Sequence, residues 1–291
     1  MTEQESAGKK GLRHYPVPPQ DFDPFTATRE DMKRHGLPLR PDADTRRGVA
    51  GLWEALFETK AARYRGFSHL EPRPDTTTAA KKTPFFGALD PVESCGYMLE
   101  TQDPIISLFI TWTVPDLNFV ANEFSNIDHF HTFVGLGFLD LHVEMTVDSG
   151  GSIGTQVWAQ AVGNINLEVS TGDVMSASLC LETNSAGTAY YFIANETTSE
   201  TLNFVVDTGF PPAVTINAGV TRGDLADLDF LDPLANFGAV YFDDIRAATE
   251  TSNNVLLTSG TATTMVDNVT GATLASPVIL NDNAFKVVCT N

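Results

Sequence analysis

The sequence predicts an all-β protein, an antiparallel sandwich or barrel carrying a short helical N-terminal extension. Three observations predict it. From about residue 87 onward, short runs of alternating apolar and polar residues recur, with Gly, Asn, Asp and Ser between them. Helical periodicity is absent after Phe57. The apolar fraction, 42% of 291 residues, is enough to fill a sizeable core. Residues 1–86 are read as an arm and residues 87–291 as the body.

The arm begins polar and proline-rich through residue 25, which favours an extended chain. Thr26 or Thr28 is placed to cap a short helix through Arg34, with Glu30 and Asp31 in its first turn and Gly36 beyond its end. Asp44 or Thr45 then caps a second helix. There Val49, Leu52, Trp53, Leu56 and Phe57 form one apolar stripe, expected to pack on the body. Arg63, Arg65, Arg73, Lys81 and Lys82 follow in a loop that Pro72 and Pro74 keep non-helical. In the body, strands are expected over residues 105–114, 133–136, 139–147, 156–162, 174–182, 188–194 and 201–206. Further strands are expected over 214–216, 239–242, 254–258, 262–267, 278–280 and 284–289. Cys180, within an alternating run, is expected in the core.

Charge divides the chain. Residues 1–86 hold 15 of the 18 Lys+Arg and 12 of the 37 Asp+Glu, so the body holds 3 basic and 25 acidic groups, a net of −22. Such a surface repels nucleic acid and anionic membrane, and neither is expected as a partner. A basic arm clasping its own acidic body is the expected use of residues 1–86. The three cysteines form no disulfide framework and have no metal-ligand spacing. No P-loop or dinucleotide pattern is present, and no cofactor is expected. With no apolar leader and no run of about 20 apolar residues, a cytoplasmic protein is the default expectation. The acceptor patterns at Asn195 and Asn268 are expected to be chance.

Chemistry concentrates in residues 129–149, HFHTFVGLGFLDLHVEMTVDS. Two strand-like runs flank a Gly137-Phe138 break. In the second, alternation puts His142 and Glu144 on one face and Leu141, Val143 and Met145 on the other. His129 and His131 share a face in the first, so His129, His131 and His142 are weak candidate metal ligands. Asp140 and Glu144, four residues apart on one strand, have Cα atoms roughly 13 Å apart, which argues against a glycosidase pair.

The order of several motifs resembles the eqolisin family, the glutamic peptidases. Thr111-Trp-Thr-Val-Pro115 resembles its W-x-V-P opening, Phe133-Val-Gly-Leu-Gly137 its W-V-G-I-D strand, and Val143-Glu-Met-Thr-Val-Asp148 its L-Q-x-G-x-D strand. Val157-Trp-Ala-Gln-Ala161 sits where the family has W-x-E-W, and Gly172-Asp173-Val174 is similar to its G-D-x-I turn. Gly187-Thr-Ala through Asn195-Glu-Thr-Thr198 is similar to the next hairpin, and residues 231–238, LDPLANFG, give the nearest match. The resemblance covers about residues 105–290.

It implies a two-sheet antiparallel β-sandwich, concanavalin A-like, whose concave face forms a cleft. It also implies a Gln/Glu dyad there, the Glu activating water and the Gln amide steadying the oxyanion. In this chain the dyad Gln position falls on Glu144. Counted back without gaps from residue 231, the dyad Glu position falls on Gly223, with Asp224 beside it. The Glu of W-x-E-W falls on Gln160, and the first Trp and the Asp of W-V-G-I-D fall on Phe133 and Gly137. A fold kept while its functional polar positions change points to a non-catalytic binding or scaffold protein. Its cleft, lined by Phe133, His142, Glu144, Trp158 and Gln160, would take a peptide segment or a glycan. The alternative is an acid-acting endopeptidase in which Glu144 and Asp224 share a proton. A His-rich metal-binding sandwich is a third possibility.

Overall fold

The computed structural model describes residues 12–13, 18–19, 21–35, 37, 40, 54, 89–122, 125–159, 163–182, 188–207, 211–222, 231 and 233–290. Its first elements are β1 (Leu12–Arg13), α1 (Arg29–Arg34), β2 (Ser94–Thr113), β3 (Ile127–Leu136), β4 (Leu139–Asp148), β5 (Ile153–Ala159) and β6 (Gly163–Ile165). Then come β7 (Val174–Glu182), β8 (Thr188–Asn195), β9 (Glu200–Asp207), β10 (Ala213–Thr221) and β11 (Ala239–Thr249). Four short or terminal strands close the chain: β12 (Thr261–Thr263), β13 (Met265–Val266), β14 (Thr273–Asn281) and β15 (Ala284–Cys289). Every pairing between these strands is antiparallel. No helix among the described residues is long and apolar enough to cross a membrane.

The architecture turns on β2, whose 20 residues belong to two layers. Its first half pairs with β10 and β12, and through β10 with the run β3-β4-β5-β6. Its second half pairs with β7 and β11, leading to β8 and β9 on one side and to β15 and β14 on the other. Between the halves, residues 102–104 are exposed and the pairing with β10 shifts register, so the strand bends there. The two layers share one core. Val134, Leu141 and Val143 from the first and Leu179, Ile193 and Phe242 from the second belong to the same buried cluster. This is the predicted sandwich.

Three expectations are corrected. The strand expected over 254–258 is a 3-10 turn at Leu257–Ser259, with one isolated bridge at Val255. Leu257 is buried, and Thr258 Oγ1 donates to Asp282 O at 2.6 Å, so this apolar run fills the core without a ladder. The strand expected over 262–267 divides into β12, on β2, and β13, on β14. Cys180 is half-buried rather than in the core. It pairs with Ser107 and Tyr190 on the side of β7 opposite Leu179 and Leu181.

The N-terminal arm contributes outside the family-like body. Thr28 caps α1 as its sequence implies: its Oγ1 accepts from Asp31 N at 3.1 Å and donates to Asp31 Oδ2 at 2.7 Å. Met32 and Leu37, with Phe22 and Phe25, pack on Phe109 of β2 and Phe192 of β8, on the outer side of the second layer. The Trp53 helix and the basic loop 63–82 lie outside the described residues.

Two buried polar clusters fix the loops that frame the sheets. Asp173 Oδ2 accepts from Asn195 Nδ2 at 2.7 Å and from Ser170 N at 2.8 Å. Asn195 Oδ1 then accepts from the backbone of Thr197 and Thr198, holding the β8–β9 turn. Asn195 is 0% exposed, so its amide is closed to glycosylation. Asp173→Ala is expected to cost about 2 kcal/mol in urea unfolding, because it removes the acceptor of the Ser170 N–H and of one Asn195 amide hydrogen, the other being held by Glu168 O. In the first layer, Asp128 accepts from Asn122 Nδ2 at 3.0 Å and His129 N donates to Pro233 O at 2.9 Å. Phe237 packs on Phe130 at 4.6 Å. The segment around residues 233–237 thereby straps the start of β3 and sets the strand on which the candidate site is built.

Candidate functional site

Alternation along β4 sends Leu139, Leu141, Val143, Met145 and Val147 into the core and leaves Asp140, His142 and Glu144 on the outer face of the first layer. Strand register places their neighbours. One row crosses the face as Gly96, Gly219, Phe133, His142, Trp158 and Asn164. A second runs Ser94, Thr221, His131, Glu144 and Gln156. A third runs Met98, Asn217, Gly135 and Asp140.

The sequence-predicted residues come together in the first two rows. The His142 ring stands edge-on to Trp158 at 5.3 Å and tilted to Phe133 at 6.2 Å. Together they form an aromatic and imidazole floor. Glu144 accepts from Gln156 Nε2, and Gln156 Oε1 accepts in turn from Asn164 Nδ2 at 2.9 Å. The carboxylate is thus held by an amide chain across three strands. His131 and His142 lie 6.4 Å apart, ring centre to ring centre, and His129 lies further along β3 on the same side. Among the described residues, no three His, Cys, Asp or Glu converge on a common metal position. Gln160, Gly223 and Asp224 lie outside the described residues, as do Asp227 and Asp229.

Features that sequence reasoning passed over, or named only for another use as with Asp140, are as prominent as the site residues it proposed. Leu89, from the segment ahead of β2, is 2% exposed and forms a small apolar cluster with Met98 and Phe133. Met98 and Phe133 project from the strands on either side of β10, so Leu89 sits on the same outer face. Asn217 and Asp140 are 1% and 4% exposed and flank Gly135 from the two neighbouring strands. Burial alone pushes the Asp140 carboxyl up to about 7. The sequence signal for Asn217 was available. Residues 216–221 alternate strictly, Ile216, Ala218 and Val220 inward against Asn217, Gly219 and Thr221 outward, but the strand was expected to stop at residue 216.

Near the mouth of the first layer, Arg222 closes β10. Its Nε donates to Val92 O at 2.9 Å and its backbone N to Glu93 O at 3.0 Å, fixing the turn that brings Leu89 over the sheet.

The comparisons with known proteins agree with this architecture. The model of the Peptidase A4 family matches residues 93–289. Among solved structures, scytalido-glutamic peptidase with a transition state analog inhibitor is similar over 68% of this chain and 98% of its own, at TM-score 0.54 and 14% identity. SCP-B, a member of the eqolisin family of peptidases solved with the tripeptide Ala-Ile-His, is similar over the same shares at TM-score 0.54 and 15% identity. At such identity the likeness is one of fold. A search of curated proteins gives no significant match.

Proposed function

Because this chain belongs to the Peptidase A4 family, whose model it matches over residues 93–289, we propose that it keeps the family cleft as a binding surface for an extended peptide segment and cuts nothing there. The observation that carries the reading is Leu89. An apolar side chain from a non-helical segment of the chain itself rests on the outer face against Phe133 and Met98. An apolar residue of a partner peptide would take the place of Leu89 on this wall, displacing it from Phe133, while Trp158 and His142, also buried, extend the floor beyond it.

The setting of Glu144 supports the same reading. An activating base needs a free lone pair directed at water, within hydrogen-bond reach of the proton that it takes. One Glu144 oxygen, Oε2, is engaged by the Gln156 amide and buttressed through Asn164, which holds the carboxylate toward β5 and β6. The acid-endopeptidase alternative, with Glu144 and Asp224 as a carboxylate pair, has family membership in its favour.

Calorimetric titration of the full chain against a panel of extended peptides tests the proposal, with oligosaccharides as the second arm. Peptides with a central Leu or Ile are expected to bind, and Phe133→Ala to weaken them about tenfold by removing most of one apolar wall. Binding of oligosaccharides with no peptide bound would overturn the reading.

A further inference from the structure

We propose that Asn217 and Asp140, which reach over Gly135 from the two strands beside it, form a buried subsite for one peptide group of an extended ligand. The inference rests on the peptide-binding reading of the cleft and names a contact within it.

Gly135 is what makes the subsite possible. A Cβ at this position would lie 2.4 Å from Asn217 Oδ1 and 2.5 Å from Asp140 Oδ1. Any side chain there would fill the space that the two groups share. Glycine leaves both side-chain oxygens standing over bare backbone, in the row that continues from Met98.

Asn217 is the group that calls for a ligand. Its amide offers two N–H donors and a carbonyl oxygen, and among the described residues neither its nitrogen nor its oxygen has a hydrogen-bond partner. Leaving such atoms unsatisfied is costly, so a polar group that meets them recovers that cost. Asp140 completes the pair. Burial favours its neutral carboxyl, which carries one O–H donor and one carbonyl acceptor. A secondary amide has one acceptor and one donor. Its C=O fits the Asn217 amide hydrogens, and its N–H fits the Asp140 carbonyl oxygen.

The apolar surroundings favour a peptide over a lone polar ion. Met98, the register partner of Asn217, clusters with Leu89 and Phe133. A peptide group set between Asn217 and Asp140 would carry its flanking side chain onto that wall, in the place Leu89 now takes.

The test is NMR on the full chain, isotopically labelled at asparagine and tryptophan and titrated with N-methylacetamide, the smallest secondary amide resembling a peptide group. The Asn217 side-chain amide signals are expected to shift and saturate. Leu89→Ala, which opens the apolar wall at Met98 beside the pair, is expected to bind the probe more tightly, and Asp140→Ala about tenfold more weakly, the worth of one buried hydrogen bond. Asp140→Asn keeps a carbonyl acceptor and a donor group, so it is expected to retain binding even if Asp140→Ala fails to fold. Asn217 signals that stay still, or drift without saturating, mean that the pair holds water only and overturn the subsite. Peptides that bind the cleft without moving Asn217 also overturn the subsite and leave the cleft reading standing. Saturation at Asn217 with no peptide bound to the cleft supports the subsite and removes the cleft reading.

Discussion

Replacing Asp140 with asparagine is expected to stabilise the protein by about 4 kcal/mol above about pH 8, and to change little near pH 4. The sign follows from the direction in which burial moves the carboxyl. Burial holds it at about 7 in the folded protein, well above its value in an unfolded chain. The folded state therefore binds this proton more tightly. The stability linked to it is complete below the unfolded value, is lost as pH rises through about 7, and is constant beyond. The size follows from the gap between the folded and unfolded carboxyl, about three pH units at about 1.4 kcal/mol for each. No basic side chain contributes to that gap; His142 and Glu144 share the face on β4, Asn217 lies across Gly135, and the Tyr191 phenol is raised by its burial first and by the Asp140 charge second. Asparagine keeps the shape and removes the charge. Urea midpoints of the two proteins from about pH 4 to 8 are expected to diverge steadily; parallel curves would mean that Asp140 is ionised in the fold at no cost.

Gly219→Ala is expected to cost more than about 3 kcal/mol and to reduce the urea midpoint at every pH. A Cβ at Gly219 would stand 2.1 Å from Cys95 O and 2.9 Å from Gly96 Cα. Both are backbone atoms of β2, so the methyl group cannot be accommodated by turning a side chain. β10 and β2 would have to part near the start of β2, where Gly219 pairs with Gly96. The same contact makes the cleft floor bare beside Phe133, since Gly96 and Gly219 leave a strip without side chains in that row. A stable Gly219→Ala protein with an unchanged midpoint would show that the two strands are looser than this packing requires.

Much of the site could be read from alternation, because a half-buried strand writes its two faces into the sequence with period two. Leu141, Val143 and Met145 against His142 and Glu144 needed no structure, and the paired strand followed from the Gly137-Phe138 break, where Gly137 takes φ +59°. The β12 and β13 runs and the 257–259 turn were harder, since short apolar runs bury themselves equally well without a ladder. The first half of β2 was missed because Gly96 and Pro104 interrupt its pattern at the places where the strand meets β10 and changes layers. The pairing of Asn217 with Asp140 across Gly135 was out of reach for another reason. Each looks ordinary in its own strand, and only the order β10-β3-β4 brings them to either side of one glycine. Leu89 belongs to no strand and is placed by the Arg222 contacts to the turn that follows it.

Binding without cleavage is tested most directly by incubating the full chain with an unfolded protein between about pH 3 and 5, where a shared-proton carboxylate pair would be active. The expected result is no product above the untreated control. Cleavage that is lost in Glu144→Ala and in Asp224→Ala, and kept in Asp227→Ala, would contradict it and establish the carboxylate pair instead.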